Sequence, residues 1–87
     1  MDEARIRQLL TELHAELKAA QPVDARTREL LTELGNDIQA IGGGATPDRY
    51  RSLRGRLEEA TAALEATHPK VTTAIERVID TLAFFNI

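Results

Sequence analysis

Residues 49–56, RYRSLRGR, set four arginines and a tyrosine within eight positions. Guanidinium groups recognise phosphate, and an aromatic ring among them can stack on a base. Arg49, Arg51, Arg54 and Arg56 are therefore the chain's candidate nucleic-acid contacts. Helical geometry argues against a shared basic face. At about 100° per residue, Arg49 and Arg56 fall about 60 to 80° to one side of the local apolar stripe, Arg54 about 80° to the other, and Arg51 points away. Such arginines border a core: their stems cover apolar surface and their heads pair with acids on a neighbouring helix. Glu29, Glu33 and Asp37 are the expected partners, and Glu58 and Glu59 dilute the positive charge. Nucleic acid binding is kept as the alternative function, and it is disfavoured.

The remaining reactive residue types are sparse. His14 and His68 are the only imidazoles, and Glu65-x-x-His68 has the spacing of half a di-iron carboxylate site. A full site needs two such pairs and two more inward glutamates; a dimer could supply the second pair, but Glu65 lies beside the core stripe and no other inward carboxylate is evident, so no metal or other cofactor is expected. His68 reads instead as a capping residue before Pro69, and His14 as a solvated or paired side chain. Ser52 is the only serine, with no histidine near it, so a nucleophile activated by a base is not expected and neither is an enzyme. Gly42, Gly43 and Gly44 lack the preceding strand and following lysine of a phosphate loop; they read as a helix stop and linker.

The elements that position these residues follow from composition and periodicity. The chain has 87 residues, a formal net charge of -3, no cysteine and only 3% aromatic residues. That length suits one domain, residues 1–87, and the composition suits helix. A mildly acidic balance provides no general attraction to phosphate or anionic lipid. Disulfides and thiolate metal sites are excluded. MDEARIRQLL has no signal-peptide core, and no apolar run approaches the roughly 20 residues of a membrane span, so a cytoplasmic protein is expected.

Apolar residues recur at alternating spacings of four and three in four segments. The first, about 2–20, carries Ile6, Leu10, Leu13, Leu17 and Ala20, with Leu9 beside them. Pro22 ends it, and Asp24 is a good N-cap for the second, about 25–41, which carries Thr27, Leu31, Leu34, Ile38 and Ile41. Gly35 weakens that helix by about 1 kcal/mol relative to alanine. Thr46, Pro47 and Asp48 open a third, about 47–66, with Tyr50, Leu53, Leu57, Ala60, Leu64 and Thr67 on its stripe. Val71, Ile75, Val78, Leu82 and Phe85 mark a fourth, about 69–85. The third stripe passes through Pro69 in nearly the same phase. Segments three and four could then be one kinked helix of about 57 Å, half of it in need of a second chain. A full break at Pro69 is the favoured reading. The fold class is all-α, an antiparallel bundle of three or four helices with coiled-coil-like packing.

The stretches IRQLLTELHAEL, RELLTELGNDIQ, RLEEATAALEATHP and VIDTLAFFNI, with Leu13-His14, His68-Pro69 and Asp80-Thr81-Leu82 in place, resemble a family of short bacterial proteins catalogued as a domain of unknown function. Gly35-Asn36 and Phe84-Phe85 look like departures from its pattern. The resemblance implies a helical fold and a bacterial cytoplasmic setting, and it carries no activity.

The C-terminal LAFFNI points to an interaction role. Phe84 falls about 140° from the centre of the last stripe, on an otherwise polar face. A thin core and an off-stripe aromatic together suggest a non-enzymatic interaction module. It would self-associate as a homodimer, or bind a protein partner, through apolar helix faces and a tail comprising Leu82, Phe84, Phe85 and Ile87.

Overall fold

The computed structural model describes residues 3–41 and 46–84. Four helices follow in order: α1 (Glu3–Ala19), α2 (Ala25–Ile41), α3 (Pro47–Leu64) and α4 (Pro69–Phe84). α2, α3 and α4 each start for a local reason. Asp24 Oδ1 accepts the Thr27 backbone N–H at 2.8 Å and caps α2. The Thr46 hydroxyl accepts the Arg49 N–H at 3.4 Å at the head of α3, where Pro47 follows with its φ already set for a helix. The end of α3 is tightened by the Leu64 carbonyl, which accepts the backbone N–H groups of Thr67 and His68 at 3.2 and 2.8 Å. Pro69 then opens α4, and the His68 carbonyl accepts both the backbone N–H and the hydroxyl of Thr72.

The chain thus breaks at Pro69 and turns back, so the long kinked helix does not form. The continuous phase of the stripe across the proline reflects two helices that bury their apolar faces in one core. Neighbours in sequence are neighbours in space, and α4 closes the ring against α1, while the backbones of the diagonal pairs do not come close among the described residues. Short connections and this ring give an up-down-up-down bundle. Its radius of gyration, 12.0 Å, matches the roughly 12 Å of a compact domain of this length.

The core is the set of stripes. Ile6, Leu13, Tyr50, Leu57, Leu64, Ile75 and Leu82 are all at most 1% exposed. Leu9, which widens the first stripe, is buried as well. Three stripe positions behave differently: Thr67 is exposed, and Thr27 and Ala20 are only partly buried. Leu82 sits at 0% exposure inside the chain's own core, so it cannot be a surface contact as the tail reading had it. Phe85 and Ile87, the other tail residues of that reading, and the linker glycines Gly42, Gly43 and Gly44 lie outside the described residues. Among the described residues no helix is long and apolar enough to cross a membrane.

Candidate interaction surfaces

The four arginines of α3 are spread around the helix, as their spacing required. Arg51 donates to Asp48 Oδ1 at 2.8 Å, one turn away on the same helix. Arg54 lies 3.7 Å from Glu58, again within α3. Arg56 crosses to α2 and donates to Asp37 Oδ2 at 2.6 Å. That hydrogen bond, and then the Asp37 charge, holds the Arg56 guanidinium above its ordinary pKa. Asp37 is one of the three partners anticipated on α2. Arg49 is exposed in the first turn. Three of the four cations are thus directed at carboxylates of this chain, two within the helix and one across a seam.

The two histidines have unlike surroundings. The His14 ring of α1 lies over Gly35 of α2: a Cβ placed on Gly35 would stand 3.9 Å from its Cδ2 and Nε2, an ordinary contact. His68 is buried and holds two connections together. Its Nε2 is 2.8 Å from the Gln21 carbonyl in the α1–α2 connection, and its Nδ1 is 2.8 Å from the Thr67 hydroxyl. A carbonyl can only accept, so Nε2 carries the proton; in the neutral ring Nδ1 then accepts from Thr67. Both ring nitrogens serve the fold, and Glu65 is exposed. Among the described residues no group of three or more His, Cys, Asp or Glu side chains is placed to hold a metal.

Three features face outward with apolar character or unbalanced charge. Phe84 is 83% exposed at the end of α4, on the polar side its phase predicted. Val23, before the α2 cap, is exposed as well. Along the α2–α3 seam runs a groove of about 890 Å³. Leu30, Leu34 and Ala63 are its apolar part. Asp24, Glu29, Glu33, Asp37 and Glu59 line it, against Arg26 and Arg56. The Asp24 carboxylate is held below its usual range, first by the backbone N–H of Thr27 that it caps.

Residues 6–85 match the family model of the domain of unknown function DUF4404. The chain belongs to this family. No curated protein and no solved structure gives a significant match. The family resemblance seen in the sequence is therefore established over nearly the whole chain. The bundle just described is the scaffold on which any DUF4404 activity of this chain must be built.

Sequence reasoning placed Phe84 off the stripe and anticipated the Arg56–Asp37 pair across to α2, but not the pairs that Arg51 and Arg54 make within α3 with Asp48 and Glu58. It missed the groove and the bridge made by His68. The bridge had a partial signal, since a histidine directly before a helix-opening proline is a poor place for an idle side chain. Its partner, Gln21, is distant in sequence, and nothing in one chain's pattern names such a partner. The groove's signal was the row Glu29, Glu33, Asp37, which was read only as a source of partners for the arginines.

Proposed function

We propose that this protein is a non-enzymatic interaction module that self-associates as a homodimer through the outer face at the C-terminal end of α4. The observation that carries this reading is Phe84, 83% exposed in a chain where Tyr50, Leu57, Ile75 and Leu82 are all at 0%. Covering a phenylalanine side chain is worth about 1.5–3 kcal/mol, and a two-fold contact would cover the same ring on both chains. The reading is narrower than one that uses whole apolar helix faces, because those faces are consumed by the chain's own core.

The test is solution mass by light scattering on a sizing column, for the intact chain and for Phe84→Ser. The intact chain should run as a dimer at high micromolar concentration. The variant should run as a monomer with an unchanged melting temperature, since an 83% exposed ring contributes little to the monomer core. An intact chain that stays monomeric at the highest concentration reached would overturn the proposal.

A further inference from the structure

We infer that the α2–α3 groove docks an amphipathic helix of a partner protein, one bearing lysine or arginine at i, i+4 beside an apolar stripe. The inference uses a different face from Phe84 and does not depend on self-association.

Charge gives the first reason. Of the five carboxylates lining the groove, Asp24 is spent on capping α2 and Asp37 on Arg56. Glu29, Glu33 and Glu59 are in no ion pair among the described residues. Glu33 and Glu59 also act at longer range on Arg56, yet five carboxylates face two guanidiniums, so the groove keeps a net negative rim that a cationic segment complements.

The floor gives the second. Leu30 is partly buried and packed against the core, and Ala63 is an exposed small side chain at the α3 wall. An aliphatic side chain laid over them would cover apolar surface that the bundle leaves part-open. A purely ionic ligand would not use that surface.

Shape and register select a helix. The groove follows two antiparallel helix axes from Thr27 to Asp37 on α2 and from Ala63 back to Arg56 on α3. At 1.5 Å per residue the α2 wall is about 15 Å long, or three helical turns. Glu29 and Glu33 are four residues apart, a rise of about 6 Å, and cations at i, i+4 on a docked helix have the same rise. Helix-in-groove recognition of this kind reads apolar anchors from one face and charge from its borders.

The experiment titrates the intact, isotope-labelled chain with a synthetic leucine–alanine–lysine peptide of about four turns, lysines at i, i+4 along one border. Two controls are a scrambled peptide of the same composition and a version with glutamate for lysine. Amide shift changes should concentrate at residues 27–37 and 56–63. Glu29→Lys/Glu33→Lys should weaken binding at least about tenfold while keeping the helical spectrum and melting temperature. The inference is overturned by no binding, by shifts mapped elsewhere, by equal binding of the scrambled peptide, or by an unchanged affinity in the charge-reversed variant. A wholly monomeric chain would sink the dimer proposal and leave this result standing.

Discussion

The α1–α4 and α2–α3 seams belong to one bundle and rest on one core, yet their rims differ. The α1–α4 rim surrounds a crevice of about 390 Å³ and carries Glu12 and Glu16 against Lys70 and Arg77, so its charges balance. The α2–α3 rim surrounds about 890 Å³ and carries five carboxylates against two guanidiniums. Small side chains, Ala15 and Ala74, line the first crevice, where little is left to cover. A bundle needs its stripes to fold, but it does not need its rims to be alike. Where a rim is self-neutral the seam is complete, and where it is not, the surplus is available to a second molecule.

Both seams rest on a single core, and α3, which contributes to it, tests this most severely. Leu57 is at 0% exposure. Leu57→Ala should cost about 2–5 kcal/mol, measured as a shift in the urea midpoint, and should reduce amide protection on both seams together. Loss confined to the α2 side would show two independent layers and would break the comparison.

His68 comes next. Its bridge from the α3–α4 connection to Gln21 closes the end of the bundle at which both seams finish. His68→Ala removes a buried ring and two hydrogen bonds, and should cost about 1–3 kcal/mol. Faster hydrogen exchange should appear in the first turns of both α2 and α4. An effect limited to α4 would mean that the ring acts only as a local cap.

Much of the fold was legible because the decisive signals are local. The 4-3 spacing of Ile6, Leu10, Leu13 and Leu17 names a buried face without knowledge of the partner helix, and Asp24 and Thr46 name their helix starts in the same way. Leu82 shows the limit. On a sequence it could belong to the core or to a dimer contact, because both bury an apolar side chain at the same helical phase. Only the closing of the ring against α1 decides for the core. Phe84 was legible for the opposite reason, since it lies out of phase with any internal face. The groove was not legible because it is made by what α2 and α3 fail to fill between them.

The two helical glycines give a gain of stability. Gly55 has nothing within 4 Å of a Cβ, and at Gly35 the nearest atoms are the His14 ring at 3.9 Å. Neither site requires glycine, so Gly55→Ala and Gly35→Ala should each stabilise the bundle by about 0.5–1 kcal/mol in urea unfolding. A loss at Gly35 alone would show that the α1–α2 seam is tighter than its 3.9 Å contact implies.

Asp24 gives a smaller, pH-dependent effect at one end of the groove. Its folded pKa is below the ordinary 3.8, so its contribution is present above that value and is lost as pH falls through the lower, folded one. Asp24→Ala should lower the melting temperature by about 5 °C at pH 7. The deficit should start to shrink below about pH 4 and vanish only as pH falls through the lower, folded value, where the wild-type carboxylate itself becomes protonated. A deficit that persists unchanged at pH 2 would assign the loss to something other than the ionised cap.

Arg56 should matter least to stability and yet sharpen the contrast between the seams most directly. Its pair with Asp37 is short at 2.6 Å, but the arginine side chain is 61% exposed, and exposed pairs contribute little once solvent screening is counted. Arg56→Gln should therefore move the melting temperature by no more than about 2 °C. It should also free the Asp37 carboxylate and remove one of the two cations from the groove rim, raising the surplus negative charge where α2 meets α3. Binding of the lysine-bearing helical peptide should then tighten by about two- to fivefold at low salt, with a steeper dependence on ionic strength. Arg77→Gln, which unbalances the α1–α4 rim by the same one charge, should leave that affinity nearly unchanged. If both variants tightened binding equally, the peptide would be responding to net charge and not to the groove, and the difference between the two seams would carry no functional meaning.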